Sequence, residues 1–156
     1  MKLPNGITGF YNSESNKPPK VDGKQFKHVC ATIVNRSGGQ VLNFRIPQYP
    51  MNFYDAEVKV SNKHFHILLN EHYPYLAFSS VVEFGNVNFI DVPELNQFSS
   101  LYRVLNVKEL NEPLALKPDS KKRTLQNNNE LNSAEMEQVA YWKPKRIAEV
   151  IFNYWD

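Results

Sequence analysis

The chain has 156 residues, of which 42% are apolar and 22% charged, and its formal net charge is +2. A chain of this length forms one ordinary domain and can bury roughly two thirds of the surface that it exposes when unfolded. The composition excludes a disordered chain and a strongly basic nucleic-acid binder. We therefore expect a single folded domain over residues 1–156.

The cysteine content and the N-terminus predict a cytoplasmic protein. The single cysteine, Cys30, cannot form an internal disulfide, and it lies in an apolar run that favours a buried, unreactive thiol. Residues 1–6 lack the apolar core of a signal peptide, and no later run approaches the roughly 18 apolar residues of a membrane span.

The N-terminal part of the chain predicts an extended lead-in and a first hairpin. Residues 1–25 are rich in Asn, Ser, Lys, Pro and Gly, which indicates a lead-in with a short strand at 7–11. β-branched residues dominate 25–35, so this segment predicts a strand covered on both faces. Two glycines at 37–39 allow a turn, and 40–46 can return as the antiparallel partner.

The next segment predicts further antiparallel strands. Two prolines in 47–50 interrupt the ladder, because a proline has no N–H to donate. Strands at 53–60 and 63–69, joined by a two-residue turn, form a predicted second hairpin. Strand-like runs continue over 75–92. The predicted fold is therefore α+β, with an antiparallel sheet over about residues 26–92 followed by helices.

Three features describe the chain after the predicted sheet. Apolar residues at helical spacing predict a helix over about 94–105. Residues 112–129 contain two prolines, a basic run and three consecutive asparagines, so they predict a flexible surface loop. Asn132 and Glu135 have the spacing of a capping box, which predicts a helix ending near Trp142.

The C-terminal stretch contains both tryptophans and predicts a last helix. Pro144 suits a first helical turn. Two adjoining helical stripes follow, consisting of Ile147, Val150, Ile151 and Tyr154 in one and Ala148, Phe152 and Trp155 in the other. Two apolar stripes leave little polar surface, so we expect this helix to pack on the sheet.

Two histidines are the sharpest candidates for chemistry. His64 and His66 project from one face of a predicted strand, and two imidazoles placed in this way can share a metal ion. The third ligand would be His72, Asp55, Glu57 or Glu71. A metal-dependent hydrolase is thus the alternative function. The same histidines also fit an ordinary polar surface or a surface that faces a partner, and no cofactor is predicted in that case.

The connection between the two predicted hairpins suggests a protein-binding surface. Interface centres are enriched in Arg, Met and aromatic residues, and the stretch 43–54 contains Phe44, Arg45, Tyr49, Met51, Phe53 and Tyr54. These side chains either fill the core under the connection or contact a partner. An exposed aromatic surface could also form a homodimer. The common signatures of hydrolase elbows, phosphate loops and paired cysteines do not occur in the sequence.

Basic residues cluster at 117–123 and 143–146. Phosphate contacts are one interpretation, but acidic residues nearly balance the basic ones in the whole chain. A basic run in a Pro/Asn-rich segment is usually a solvated surface. These observations argue against nucleic acid as the partner.

The C-terminal pattern resembles a known type of protein. It reads Tyr141-Trp142-Lys143-Pro144, then Ile147, Glu149-Val150-Ile151-Phe152-Asn153, and Trp155-Asp156. This ending is similar to that of small bacterial proteins found beside polymorphic toxins and regarded as their immunity partners. The resemblance covers about the last 20 residues. It implies a cytosolic protein without catalytic activity that binds and blocks one toxin or effector domain.

Overall fold

The computed structural model describes residues 1–116 and 125–156, and in these ranges six strands form one sheet within a mixed α+β fold. The strands are β1 (Gln40–Arg45), β2 (Phe53–Val60), β3 (Lys63–Asn70), β4 (Tyr75–Glu83), β5 (Asn86–Ile90) and β6 (Arg103–Val104). The helices are α1 (Gly23–Arg36), α2 (Val107–Leu110), α3 (Ser133–Trp142) and α4 (Ile147–Ile151), with 3₁₀ helices at Glu14–Asn16 and Pro93–Ser100. Strands β1 to β5 lie side by side in chain order and are antiparallel, while β6 pairs in parallel with β4. The predicted α+β class is confirmed.

The predicted strand at 25–35 is wrong, because these residues belong to helix α1. Phe26, Cys30 and Val34 are fully buried along one side of this helix. A spacing of four residues fits a helical stripe and a strand face equally well, so the apolar pattern alone does not decide. The helix is identified by its N-terminal cap, since the Asp22 carboxylate accepts the backbone N–H of Gln25 in the first turn at 3.0 Å. Strand β1 consequently pairs with β2 rather than with the preceding segment.

The predicted second hairpin is confirmed by β2 and β3, which pair antiparallel along their whole length. The two connecting residues, Ser61 and Asn62, have φ values of 50° and 63°. Two successive positive φ values are typical of a type I′ turn, which matches the twist of the two strands. This turn fixes the register, so alternate side chains of β2 and β3 point to the same face of the sheet.

The predicted helix over 94–105 is replaced by the 3₁₀ helix Pro93–Ser100 and by β6. Leu95 has φ −105° and ψ 37°, which breaks the helical path. Leu95 and Phe98 are nevertheless fully buried. The apolar spacing therefore identified core residues correctly but did not predict the backbone conformation of the segment.

The capping box at the start of α3 is confirmed. The Asn132 side chain accepts the N–H of Glu135 at 3.0 Å, and the Glu135 carboxylate accepts the N–H of Asn132 at 3.2 Å. Helix α3 ends at Trp142, as predicted. The helix predicted to begin at Pro144 begins instead at Ile147, because Lys143 adopts a left-handed conformation and the backbone of Arg146 is extended.

The sheet contributes to two apolar clusters. One cluster includes Phe26 of α1, Phe98 of the second 3₁₀ helix and side chains of β2, β3 and β4. The other includes Phe53 and Phe89 of the sheet together with the C-terminal Phe152. Both faces of the central strands therefore contribute apolar side chains to the core, although Glu57, Lys59 and His64 at one end of the β2–β3 hairpin remain at least partly exposed.

The segment predicted as a lead-in is held by the body of the protein. Leu3 and Ile7 are fully buried. The Glu135 carboxylate is buried as well, and it accepts the backbone N–H of Gly6 at 2.6 Å, the N–H of Thr8 at 3.0 Å and the Thr8 hydroxyl at 2.6 Å. This one side chain links the N-terminal segment to α3.

Two buried asparagines, Asn52 and Asn70, join the two chain ends to the sheet. The Asn70 amide donates to the carbonyls of Ile7 at 2.9 Å and Ile151 at 2.8 Å. The Asn52 amide donates to the Ile151 carbonyl at 3.1 Å, and its side-chain oxygen accepts the N–H of Asn153 at 2.8 Å. These bonds satisfy buried carbonyls that no helix or strand partner reaches.

The loop predicted over 112–129 is described only at its two ends. The N–H of Leu114 donates to the backbone carbonyl of Lys145 at 3.0 Å, and the N–H of Gln126 donates to the backbone carbonyl of Ala115 at 2.7 Å. The central part of that prediction, 117–124, lies outside the described residues. Among the described helices, none has the length and apolar character needed to cross a membrane.

Candidate functional site

The structure divides the six residues of the predicted protein-binding surface among three environments. Phe53 and Met51 are buried and belong to the core rather than to a contact surface. The Phe53 ring packs edge-on against Phe152 and Tyr154, with centroid distances of 5.7 Å and 5.5 Å. These two residues are corrections to the predicted surface, because both side chains are buried and cannot contact a partner.

Phe44 and Tyr54 lie in a second environment and hold α1 in place. Both rings are half-buried, and their centroids lie 5.8 Å and 5.9 Å from that of Phe26. The Lys27 amine lies 5.6 Å from the centroid of Phe44. Burial is the main cause that raises the pKa of Tyr54. These two aromatics are chiefly part of the helix–sheet contact.

Arg45 and Tyr49 remain exposed, together with two apolar residues that sequence analysis did not select. Tyr49 is 79% exposed, Ile46 55% and Leu42 46%, and about half of the Arg45 side chain is exposed. We call these four residues, Leu42, Arg45, Ile46 and Tyr49, the edge surface. Strand β1 is at one end of the strand order in the described sheet, so its outer side faces away from the other strands.

A buried carboxylate fixes the position of Arg45. Asp55 is almost completely buried and accepts hydrogen bonds from Arg45 Nε at 3.2 Å, from Arg45 Nη2, and from His66 Nδ1 at 2.8 Å. The Asp55 hydrogen bond is the main cause that raises the pKa of Arg45. A charged pair with two donating nitrogens on one carboxylate is stronger and more directional than an ordinary surface ion pair.

A second pair lies beside it on the same face of the sheet. His64 Nε2 is 3.1 Å from the Glu57 carboxylate, and the His64 and His66 rings are 5.9 Å apart between centroids. In each pair the imidazole and the carboxylate are diagonal neighbours on β3 and β2. The sequence pattern indicates that the two histidines share one face, but only the strand register reveals Asp55 as the centre of the cluster.

The metal-site alternative gains no support from this geometry. Each imidazole is paired with its own carboxylate, and no group of three or more His, Cys, Asp or Glu side chains in 1–116 and 125–156 could hold a metal ion. His72 does not join the pair, because its Nδ1 lies 2.8 Å from the Pro19 carbonyl and its Nε2 lies 3.5 Å from Glu71. Glu71 therefore accompanies His72 rather than the two hairpin histidines.

Cys30 is fully buried in α1, and burial raises the pKa of its thiol. A thiol in this environment stays protonated and cannot act as a nucleophile. The sequence-based interpretation of Cys30 as a small core residue is confirmed.

Two clefts flank the C-terminal residues. One, of about 410 Å³, is lined by Tyr49, Lys17 and Glu71 among others. The other, of about 390 Å³, lies between the β4–β5 turn and the connection from α3 to α4. Trp155 contributes to both clefts, so the end of the chain separates them.

Comparison of the chain with protein-family models, with curated proteins and with solved structures finds no match.

Proposed function

We propose that this protein binds another protein without altering it chemically, and that the partner is a toxin or effector domain which it inhibits. The observation that carries the proposal is the edge surface, where four large side chains stand exposed within eight residues of β1 and the following connection. Tyr and Arg are the residue types most enriched at binding hot spots, and exposed aliphatic neighbours exclude water around them. The resemblance of the C-terminal pattern to immunity proteins agrees with this function.

The environment of Arg45 supports a binding role for this residue. Because Asp55 already holds the guanidinium, Arg45 loses little side-chain freedom when a partner docks, and that loss is a main cost of association. A partner carboxylate or carbonyl could use the guanidinium nitrogens that face solvent. The half-exposed Arg45 is thus arranged for recognition before binding.

The proposed contact uses side chains rather than an added strand. The register of β1 against β2 shifts between Val41 and Asn43, and such a bulge interrupts the regular edge that a pairing strand requires. Phe44 N–H is also occupied, since it donates to the Asn43 side chain at 2.9 Å. The partner is therefore expected to bury Ile46 and Tyr49 instead of extending the sheet.

The proposal assigns a supporting role to the C-terminal segment. We infer that α4 and the residues after it pack on the sheet and hold β2 in place beneath the edge surface. Phe152 supports this inference, because its ring lies 5.7 Å from both Phe53 and Phe89 between centroids. The proposed place of action is the cytoplasm, in agreement with a single buried thiol.

Co-expression with the product of the adjacent gene tests the function. If the proposal is right, the wild-type protein rescues growth of cells that make this product and is recovered with it in a pull-down. Ile46→Ser should weaken both effects, whereas Leu101→Ser should not, although Leu101 is equally exposed, at 53%. Absence of rescue and of binding by the wild-type protein would remove the immunity function.

A further inference from the structure

The second cleft combines aromatic walls with a basic rim. Its volume is about 390 Å³, and its lining includes Phe84, Trp142, Phe152 and Tyr154. A cleft of this size is near the lower end of the roughly 300–1,000 Å³ range of small-ligand sites. It can receive one or two large side chains rather than an extended cofactor. We call it the basic cleft.

Phe84 forms an exposed wall of this cleft. The residue is 74% exposed at the β4–β5 turn, and its ring lies 5.4 Å from that of Tyr154 between centroids. The next residue, Gly85, has a φ of +75°, a value that glycine adopts without strain. The turn therefore holds a large aromatic ring in water, which costs free energy unless a partner covers it.

The charges on the rim are not all used by the fold. Arg146 has a structural role, since Nη1 donates to the Asn111 side chain at 2.6 Å, Nη2 donates to Val87 at 3.1 Å, and the guanidinium lies 5.4 Å from the Phe89 centroid. Lys143 and Lys145 differ from it. Both are exposed, and neither amine has an ion pair with a carboxylate in the described part of the chain.

Among the described residues that line the cleft, one has a carboxylate, and it does not form an ion pair with these lysines. Glu149 accepts the backbone N–H of Lys145, and it accepts the N–H of Arg146 at 3.1 Å. The carboxylate thereby caps the start of α4. Two lysine amines remain at the rim as attraction points for negative charge.

The basic cleft also adjoins the cluster that holds the edge surface. Tyr154 lines the cleft, and its ring lies 5.5 Å between centroids from that of Phe53, which precedes Asp55 by two residues on the same face of β2. Burial is the main cause that raises the pKa of Tyr154. One partner could therefore cover both sites.

We propose that the basic cleft receives an acidic segment of the protein partner. An aromatic or large aliphatic side chain of this segment enters between Phe84 and Trp142, and flanking carboxylates meet Lys143 and Lys145. This inference rests on the proposed function for the identity of the partner. A protein segment is favoured over nucleic acid, because two adjacent lysines do not form the track of cations that a phosphate backbone requires.

A peptide titration tests the cleft independently of the natural partner. The probe is a blocked pentapeptide with a central phenylalanine between two glutamates on each side, added to the ¹⁵N-labelled full chain. Saturable amide shifts at Phe84, Lys143 and Lys145 are expected, with a dissociation constant of about 1 mM. The double variant Lys143→Glu/Lys145→Glu should bind about tenfold more weakly, whereas Lys24→Glu/Lys108→Glu, with the same change in net charge, should bind within about twofold of wild type.

Three results would overturn the inference: no shifts at the cleft with about 10 mM peptide, equal binding of the peptide with lysines in place of glutamates, or tighter binding of a thymidine oligonucleotide. Peptide binding without any binding of the adjacent gene product would leave the cleft assigned and would remove the proposed function instead. Binding of that product by the edge surface alone, with no peptide shifts, would remove only the cleft assignment.

Discussion

Replacement of Asn70 by alanine should destabilise the protein more than any surface substitution. Asn70 is fully buried, and its side-chain oxygen accepts the N–H of His72 at 2.8 Å and the N–H of Tyr73 at 2.9 Å. Its amide donates to Ile7 and Ile151. The side chain therefore joins the sheet, the N-terminal segment and the end of α4.

The magnitude follows from the groups left without a partner. The two carbonyls keep a second donor, because the Asn52 amide lies 3.3 Å from Ile7 O and 3.1 Å from Ile151 O. The N–H of His72 stays buried and unsatisfied, at a cost of about 1–3 kcal/mol. The N–H of Tyr73 is only partly buried and can regain water, which adds up to about 1 kcal/mol. We expect a total loss of about 1–4 kcal/mol in the free energy of unfolding.

Urea unfolding followed by tryptophan fluorescence measures this loss. With a slope of about 2 kcal/mol per molar urea, the midpoint should fall by about 0.5–2 M. Asn86→Ala is the control, because Asn86 is exposed and should change stability by less than about 0.5 kcal/mol. The double variant Asn52→Ala/Asn70→Ala should lose more than the sum of the single losses, since both amides serve the same carbonyls. An Asn70→Ala midpoint equal to that of the control would refute the reasoning.

Three other measurements check separate parts of the account. Tyr102→Phe should stabilise the protein by about 1 kcal/mol, because the buried Tyr102 hydroxyl has no hydrogen-bond partner among the described residues. Burial also raises the pKa of Tyr102 to about 12, so the ionisation of this tyrosine does not affect the free energy of unfolding below pH about 10 and lowers it as the pH rises from 10 toward 12. The variant should lack this alkaline fall, and an equal fall in both proteins would count against a buried Tyr102 hydroxyl. Cys30 should react with a thiol reagent at pH 8 only after urea is added, because burial raises its pKa; rapid reaction of the folded protein would show that the thiol is accessible. Elemental analysis of the purified protein should give far less than one zinc or iron per chain, and a stoichiometric metal lost on His66→Ala would instead support a hydrolase.

The sequence predicted the strands where the turn chemistry was distinctive. The hairpin of β2 and β3 was predicted from its Ser61-Asn62 turn, whose positive φ values leave one register. Helix α1 was missed, because Phe26, Cys30 and Val34 are spaced by four residues and fit both periods. The β-branched residues there favoured a strand, whereas the helix is begun by the Asp22 side chain, which caps its first turn.

The candidate site was predicted in residue type but not in arrangement. Arg45, Tyr49 and Phe53 were all predicted as contact residues because they lie in one aromatic-rich stretch. Arg45 and Tyr49 are exposed, but Phe53 is buried. Phe53 and Tyr54 project from opposite faces of β2. Phe53 shares its face with Asp55, Glu57 and Lys59, a polar pattern that indicates exposure, yet the Phe53 end of this face is buried. Asp55 joins Arg45 and His66 only through the register of three strands, which no local pattern contains.

The pattern at the C-terminus predicted burial better than backbone. Ile151, Phe152 and Trp155 are buried as the two stripes indicated. The helix predicted from Pro144 onward is only five residues long, because Lys143 leaves the helical region and the backbone of Arg146 is extended. This irregular connection forms the rim of the basic cleft. The residues whose helical conformation was wrongly predicted are therefore the ones that line the proposed binding site.

The most direct test of the central claim is calorimetric titration of the purified adjacent gene product into this protein. The account predicts a saturable one-to-one complex, and Tyr49→Ala should weaken its affinity by about 30-fold, the effect of a hot-spot residue. Leu101→Ser should leave the affinity within about twofold of the wild-type value. A complex whose affinity is the same for wild type, Tyr49→Ala and Ile46→Ser would contradict the assignment of the edge surface as the binding site.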